Sequence, residues 1–247
     1  HNVNLVYTYL PTSADKTYFL PPTLTNGNVH GIIVLNVYNE RLLRLLAETQ
    51  IPKVFLDTSS LVAPDELNGD LLLMESRTSV RRITCHLLEQ GRTLPGFIGD
   101  ISYAQSNRER YEGFCQALAD AGKKVDSSLC LTTPLGIDTY REEIDTFLSS
   151  LSRMPDAFVC ASDYVACILM QLLEKRGLRV PEDVAVSGFD NNTEDLLAEH
   201  LTTVQVFNEE LGARLALQIL YRIKYPNTPH EITYLGTNVL YRDSTGD

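Results

Sequence analysis

The sequence predicts an α/β protein in which helices cover both faces of a mostly parallel sheet. Short runs of β-branched and aliphatic residues alternate with longer amphipathic stretches along most of the chain. Several of the short runs, such as Ile32–Leu35, are apolar throughout, which is typical of strands that are buried on both sides. At 247 residues, the chain has the length of one large domain or two small lobes.

Nine segments have the length and composition of strands, and turn-forming residues bound most of them. In chain order they are Val3–Tyr7, Gly31–Leu35, Lys53–Leu56, Gly96–Gly99, Leu129–Thr132, Ala157–Cys160, Val184–Gly188, Thr203–Val206 and Ile232–Leu240. Many of the stretches between them are long enough for the crossover helices that parallel pairing requires.

Between these strands, apolar residues recur at intervals of three and four, which predicts helices that each bury one stripe. The predicted helices are Glu40–Thr49, Ser79–Glu89, one containing Tyr111–Leu118, Asp138–Leu151, one containing Val165–Leu173, and Glu209–Ile223. Asn208 can cap the last of them. Gly91, Gly122 and Gly177 can end three others, because glycine accepts the left-handed conformation that often follows a helix.

The charge balance limits the partners that this chain itself can bind. It has 21 Lys and Arg against 32 Asp and Glu, a formal net charge of −11 at pH 7. DNA and anionic membranes bind through clustered basic side chains, so neither is an expected partner of this part of the protein. The five cysteines are odd in number and lack C-x-x-C spacing, which indicates reduced thiols of a cytoplasmic protein.

The common motifs of catalytic and cofactor sites are absent from the sequence. There is no G-x-G-x-x-G or G-x-x-x-x-G-K-[ST] phosphate cradle, no H-E-x-x-H and no G-x-S-x-G. The five histidines are scattered without the spacing of metal ligands. For His86, which lies in a predicted helix beside apolar residues, we expect partial burial and a structural role. We therefore predict no enzyme activity, no cofactor and no metal.

Polar side chains follow three predicted strands at the place where parallel α/β sheets bind ligands, just beyond the carboxyl ends. They are Asp57, the pair Ser162-Asp163, and Asp190. Their oxygens can accept hydrogen bonds from the vicinal hydroxyls of a sugar. Each also has a structural alternative, since Ser162 or Asp163 can cap the helix that follows and Asp57 can cap a turn.

Two arginines open the third predicted helix, where a cation opposes the positive end of the helix dipole. Arg108 and Arg110 therefore need a compensating partner. A surface salt bridge with Glu109 or Glu112 is one explanation. The other is a ligand that accepts bidentate hydrogen bonds from a guanidinium.

Two tyrosines lie beside these positions. Tyr103 precedes the arginines and Tyr164 follows the Ser162-Asp163 pair. Either ring can stack on the face of a bound sugar, and packing at the edge of a lobe is the alternative for both.

Five segments occur in a specific order and spacing. They read Arg-Tyr-Glu-Gly-Phe at 110–114, Ala-Ser-Asp-Tyr-Val-Ala at 161–166, Val-Pro-Glu-Asp-Val-Ala-Val-Ser-Gly-Phe-Asp-Asn at 180–191, Leu-Thr-Thr-Val at 201–204 and Tyr-Arg-Asp-Ser-Thr at 241–245. Together they resemble the effector domain of lac-repressor-type (LacI/GalR) transcription regulators over nearly the whole chain. The segment at 180–191 is the most specific of the five.

The resemblance implies two doubly wound parallel-sheet lobes joined by multiple crossovers, as in periplasmic binding proteins of type I. The expected boundaries are 1–101 with 207–228 for the N-terminal lobe and 102–206 with 229–247 for the C-terminal lobe. The residues themselves predict crossings between the lobes at Gly99–Tyr103, around Val206–Asn208 and near Thr228–Glu231. By the same comparison, Val3–Tyr7 resembles the second strand of the first lobe. A first strand and helix, and a DNA-binding helix-turn-helix head, are therefore expected before His1.

The resemblance also implies roles for single residues. Arg110 matches the family's effector-contacting arginine, Asp190 its contacting aspartate, and Asp57 a position that touches sugar in some members. Ser162 stands where most members have asparagine. Other departures are Val206 for glutamine, Glu75-Ser76 for Asp-Asn and Gly91-Arg92 for Gly-His. These departures indicate an unusual effector or an altered response. The predicted effector site comprises Arg110, Asp190, Asp57, Ser162, Tyr103 and Tyr164.

The predicted function is the effector-sensing domain of a DNA-binding transcription regulator, taken to be a repressor. A small sugar or related metabolite binds between the lobes and shifts a homodimer between states of different operator affinity. Expected dimer contacts are the stripe Leu42, Leu45 and Leu46 and the off-stripe Leu217 and Leu220, with ordinary burial on the sheet as the alternative. The alternative function is a periplasmic or extracellular sugar-binding receptor of a transport system, since one fold serves both.

Overall fold

The computed structural model describes residues 3–136, 138–192 and 199–247. The chain divides into two compact units: His1–Leu73 with Asn208–Leu235 form the first unit, and Met74–Phe207 with Gly236–Asp247 form the second. Each unit contains a parallel sheet flanked by helices. The predicted α/β class is therefore confirmed.

Six α-helices and ten strands lie within the described residues. In chain order they are β1 (Ile32–Leu35), α1 (Glu40–Glu48), β2 (Lys53–Leu56), β3 (Asp70–Met74), α2 (Arg77–Glu89), β4 (Pro95–Ile98), α3 (Gln105–Asp120), β5 (Cys130–Leu131), α4 (Tyr140–Ser150), β6 (Ala157–Cys160), α5 (Asp163–Lys175), β7 (Ala185–Ser187), β8 (Thr203–Gln205), α6 (Asn208–Lys224), β9 (Ile232–Leu235) and β10 (Asn238–Leu240). Short 3₁₀ turns occur at Pro22–Leu24, Pro64–Leu67, Ser127–Leu129 and Asp243–Thr245.

The first unit has a four-stranded sheet in the order β1-β2-β3-β9, and β1, β2 and β3 are parallel. Helix α1 starts after Asn39, whose side chain accepts from the Leu42 N–H at 3.1 Å. Its apolar stripe is buried, with Leu42 and Leu46 each 1% exposed. Both are thus core residues of this unit, and the prediction that they serve as dimer contacts is wrong.

A buried ion pair ties α6 to the sheet of the first unit. Arg222 donates to both carboxylate oxygens of Asp70, from Nη2 at 2.5 Å and from Nε at 3.0 Å, and each residue's side chain is 2% exposed. Gln218 donates to the same carboxylate at 2.8 Å. Burial alone would raise the pKa of Asp70, but the hydrogen bonds from Arg222 and Gln218 outweigh it and lower the pKa.

Two strand predictions need correction, and one strand was not predicted. Val3–Tyr7 forms no ladder with any described strand and is exposed, because a strand is stable only when a neighbour pairs its backbone groups. Asp70–Met74 was missed, since its run of leucines suits a helix as well as a strand. The predicted strand Ile232–Leu240 is divided into β9 and β10, which belong to different sheets.

The second unit has a parallel sheet in the order β5-β4-β6-β7 and a separate antiparallel pair formed by β8 and β10. Its core is apolar and lies between the sheet and its helices, with Phe158, Leu169 and Val186 fully buried. Gly91, Gly122 and Gly177 have φ of 89°, 69° and 73°. They end α2, α3 and α5, as predicted.

The position of α2 explains why the division between units differs from the predicted boundaries. This helix packs on α3 so closely that a Cβ at Gly113 would clash with the backbone carbonyl of Arg77. Residues 74–101 therefore belong with the second unit. The first crossing lies at Leu73–Met74 and not at Gly99–Tyr103, because packing partners, which periodicity does not reveal, decide where a helix belongs.

Asp70→Ala tests the buried ion pair. The substitution leaves the Arg222 guanidinium buried and unpaired, so we expect the free energy of unfolding to fall by about 3–5 kcal/mol. Urea denaturation followed by circular dichroism measures the loss. Glu40→Ala is the control, because it removes an exposed pair with Arg44 at 3.9 Å and should cost less than about 1 kcal/mol. Equal losses in both variants would contradict the assignment.

A pair of glycine substitutions tests the contact between α2 and α3. Gly113→Ala must push the two helices apart, so we expect a loss of about 1–3 kcal/mol in the free energy of unfolding. Gly212→Ala on α6 meets open space and should stabilise the protein by about 0.5–1 kcal/mol through helix propensity. The same denaturation experiment measures both, and the opposite signs are the expected result.

Candidate functional site

The carboxyl ends of three neighbouring strands of the second unit lie at one edge of its sheet. Strands β4, β6 and β7 pair in parallel, so the residues that follow them are brought to the same edge. Ser162 follows β6 and Asp190 follows β7. Arg110, on the helix that follows β4, lies against them. The sequence therefore predicted correctly that Arg110 and Asp190 come together.

Arg110 is held almost completely inside the second unit. Its side chain is 5% exposed, and its guanidinium carbon lies 3.7 Å from the centre of the Phe189 ring. One Nη donates to the carbonyl of Ala161 and, at 3.4 Å, to Asn107. The other lies 3.6 Å from the Asp190 carboxylate. Within the described residues, the buried Nε has no hydrogen-bond partner.

Asp190 presents an acceptor beside this buried cation. Its side chain is 44% exposed, whereas its backbone N–H donates to the carbonyl of Val204 at 3.0 Å. The φ angle of 113° is rare for a residue with a side chain and costs about 1–3 kcal/mol. Burial raises the pKa of this carboxyl group, and Arg110 opposes that rise. A fixed acceptor and a fixed donor thus stand side by side.

The expected salt bridges of the helix α3 arginines are only partly formed. Glu112 pairs with Arg77 on α2 and not with an arginine of its own helix. Glu109 is buried and accepts from Gln105 at 3.0 Å. The charged partner of Arg110 is Asp190, and a contact of Arg110 with an effector stays a prediction.

Ser162 is the N-cap of α5. Its hydroxyl accepts from the Val165 N–H at 3.3 Å, and its backbone is extended, as a capping residue requires. The structural alternative considered for this residue is thus observed. A contact with an effector stays a prediction for its hydroxyl. Asp163, the other residue of the pair, is buried and bonds to the loop after β7.

Tyr103 and Tyr164 are the exposed aromatic residues of the predicted site, at 43% and 61% exposure. The Tyr164 ring lies edge-on to Tyr140 with centroids 5.8 Å apart. Burial raises the pKa of Tyr140, and Tyr103 and Asp100 add to that rise, so these groups lie near one another. Beside them a cavity of about 340 Å³ opens between α4 and α5, lined by Asp138, Tyr140, Arg141, Glu142, Tyr164, Cys167, Ile168 and Gln171.

Asp57 belongs to the first unit and has the geometry of a turn residue. It follows β2 with a φ of 61°, and its carboxylate accepts from the Thr58 N–H at 2.7 Å. The side chain is buried, and the backbone N–H donates to Leu72 at 2.9 Å. The turn-capping alternative is therefore observed, and an effector contact stays a prediction.

The departures from the family pattern have structural roles in the second unit. Glu75 caps α2 by accepting from the N–H groups of Thr78 at 2.5 Å and Ser79 at 3.2 Å. Arg92 donates to the carbonyls of Asp156 at 3.3 Å and Pro181 at 2.5 Å. Such contacts were not visible in the sequence, because each partner is distant along the chain or belongs to the backbone.

His86 and the helices of the described residues show no feature that adds to this site. His86 lies 2.9 Å from the Asp247 carboxylate and 4.4 Å from the Tyr241 ring, which is the expected structural role. Among the described residues, no three His, Cys, Asp or Glu side chains are grouped to hold a metal ion. None of the helices in these residues combines the length and hydropathy needed to span a membrane.

Comparison with known proteins identifies the fold and its relatives. A family model for the periplasmic binding protein-like domain matches residues 84–245. The HTH-type transcriptional repressor PurR of Aliivibrio fischeri is 29% identical over 225 residues, which are 90% of this chain and 66% of that protein. The HTH-type transcriptional regulator DegA of Bacillus subtilis is 31% identical over 170 residues, which are 68% of this chain and 48% of that protein.

Solved structures agree with these relatives. The transcriptional regulator CelR in complex with cellobiose is 27% identical, with a TM-score of 0.79 over 90% of this chain and 68% of that one. A LacI-type transcription regulator from Bifidobacterium animalis, at 22% identity and a TM-score of 0.73 over 90% of this chain and 81% of that one, shows the same fold. The chain spans about half to two thirds of the length of the two curated relatives. It belongs to the periplasmic binding protein-like domain family, and within that family it matches the effector-binding domain of LacI-type regulators.

Proposed function

We propose that this chain is the effector-sensing domain of a DNA-binding transcription regulator that acts as a repressor and binds a small sugar or related metabolite. The observation that carries the proposal is the buried Arg110 guanidinium beside the half-exposed Asp190 carboxylate. The regulator relatives support the same conclusion, and the solved relative that holds cellobiose supports a sugar as the class of effector.

The chemistry of the pair suits a polyol. A carboxylate can accept from two adjacent hydroxyls, and a guanidinium donates in a fixed plane to a hydroxyl or ring oxygen. Phe189 keeps the guanidinium oriented, so little side-chain entropy is lost on binding. Tyr103 and Tyr164 would offer apolar ring faces to the sugar, and Ser162 and Asp57 would add further hydrogen bonds.

The proposed mechanism is a shift between two conformations and involves no catalysis. A ligand moves such an equilibrium only by its difference in affinity for the two states. Operator DNA would be bound through a helix-turn-helix part outside this chain, in agreement with the net charge of −11. The site of action would be the cytoplasm.

A homodimer is part of this proposal. Helix α6 offers a surface for it, because Leu217 on that helix is 61% exposed, whereas Leu42 and Leu46 are buried. Tyr221 and Ile223 on the same helix are also exposed, at 38% and 37%, and neighbouring exposed apolar side chains are typical of a surface that packs against a partner.

The second function considered is a sugar-binding receptor of a transport system, outside the cytoplasm. The curated relatives favour the regulator, since those compared above are named as transcription regulators. The five cysteines are free thiols, which also favours a reducing compartment.

Calorimetric titration with a panel of monosaccharides and disaccharides that includes cellobiose tests the proposed site. For the sugar that binds best, we expect Asp190→Asn and Arg110→Lys each to weaken affinity about 10- to 100-fold, since a hydrogen bond to a charged group contributes about 1.5–3 kcal/mol. Asp183→Asn is the matched control, because Asp183 forms an exposed pair with Arg179. The site assignment is wrong if both site variants bind as tightly as the control.

A further inference from the structure

The backbone of the loop after β7 needs support from outside the loop. Asp190 has a φ of 113° and the next residue, Asn191, a φ of 53°. Residues with side chains rarely adopt two such angles in succession, so surrounding contacts must hold them. Asp190 carries the acceptor of the proposed site, and its position depends on these contacts.

Asp163, the first residue of α5, bonds to this loop on both sides of the two strained residues. Its backbone N–H donates to the carbonyl of Phe189 at 2.8 Å. Its carboxylate Oδ2 accepts from the Asn192 N–H at 2.8 Å, and Oδ1 accepts from the Thr203 hydroxyl at 2.5 Å. Asp163 is only 2% exposed, so these bonds form away from solvent.

Thr203 supports the same loop. Its hydroxyl donates to Asp163 and also accepts from the Asn191 N–H at 3.3 Å, so one oxygen links the carboxylate to the strained backbone. The Asn191 side chain accepts from Arg242 at 2.8 Å and donates to Gln205 at 2.7 Å. The loop is therefore held by side chains from α5, β8 and the C-terminal segment.

Gly188 provides the space that the Asp163 carboxylate occupies. A Cβ at this glycine would lie far inside contact distance of Asp163 Oδ1 and would press on Leu201. The close approach of the Asp163 carboxylate to the backbone at position 188 therefore requires a glycine there.

We propose that Asp163 is a positioning residue for effector binding: its ionised carboxylate holds the loop so that Asp190 stands beside Arg110. Asp163 does not itself touch the effector, and the inference rests on the proposed function. Protonation would place a hydrogen on an oxygen that now accepts one, and the carboxyl group would no longer accept fully from both Thr203 and Asn192. The loop would then relax and the affinity would fall.

The electrostatics agree with such a role. Burial raises the pKa of Asp163 to about 6, and the charge of Asp190 adds to the rise, while hydrogen bonds to its oxygens and the charge of Arg242 oppose it. Within the described residues, the thiol of Cys160 also faces it, and burial keeps that thiol's pKa well above its usual value. With this pKa, Asp163 is expected to be ionised at pH 7.5 and mostly protonated at pH 5, so affinity should fall about fivefold as the pH is lowered between these values if the neutral form binds about tenfold more weakly.

Nuclear magnetic resonance tests the hydrogen bonds between Asp163 and the loop after β7 without any ligand. The amide signal of Asn192 should shift with pH, with a midpoint near 6, because its N–H donates to the titrating carboxylate. Asp163→Asn should abolish this midpoint while the other amide signals of the folded protein remain. A midpoint that survives in Asp163→Asn, or an Asn192 amide that does not titrate at all, would overturn the inference.

A double-mutant cycle with cellobiose as the first probe, and the other sugars of the panel after it, separates positioning from general stability. At pH 7.5, Asp163→Asn should weaken binding about tenfold in the wild-type background and less than about twofold in the Asp190→Asn background. Position 190 carries no titratable group in the Asp190→Asn background, so a pH dependence of binding that is measured there cannot come from Asp190 itself. Equal weakening in both backgrounds would indicate a merely structural residue and contradict the proposal.

Substitutions of Thr203 keep the test valid if Asp163→Asn fails to fold. Thr203→Val removes the bridging hydroxyl without a change in charge and should also weaken binding, whereas Thr203→Ser keeps the hydroxyl and should retain the affinity.

The proposed function and the positioning role of Asp163 can fail separately. Should no sugar bind the wild type, the proposed function fails, and the Asn192 titration still tests whether Asp163 holds the loop after β7. Binding that requires Asp190 but neither Asp163 nor the Thr203 hydroxyl would refute only the positioning role.

Discussion

Burial of a positive charge on α3 governs the arrangement of the second unit's site. Removing a guanidinium from water costs several kcal/mol unless hydrogen bonds and an opposite charge replace the lost solvent. For Arg110 the replacement comes from the Ala161 carbonyl, the Phe189 ring and the Asp190 carboxylate. Ala161 follows β6, whereas Phe189 and Asp190 both follow β7. The charge therefore links the ends of β6 and β7 to α3, and any loosening of one partner affects the others.

The framework around that charge is rigid for identifiable reasons. Strands β4, β6 and β7 are parallel neighbours, so the three following segments cannot move independently. Helix α3 is locked to α2 at Gly113, where only a glycine fits against the neighbouring backbone. The strained loop at Asp190 is in turn bracketed by Asp163 and Thr203. A donor and an acceptor that are held in this way need little reorganisation when a polyol binds.

Sequence patterns predicted the fold class and most elements of the chain. Lys53–Leu56 and Ala157–Cys160 have the predicted bounds, and Gly91, Gly122 and Gly177 end helices as expected. Periodicity could not assign α2 to a unit, since its amphipathic pattern is satisfied by either neighbour. It also predicted a strand at Val3–Tyr7, where the composition is right but no described strand pairs with the backbone.

The sequence by itself determined the α/β class, the order of most elements and the position of Asp190 just after a strand. These follow from local periodicity and from the positions of polar residues after strands. Only the tertiary structure showed that Asp163, Thr203 and Arg242 support the Asp190 loop. The reason is physical: these hydrogen bonds join residues 12 to 51 positions apart, and they depend on packing distances that no local pattern in the chain records.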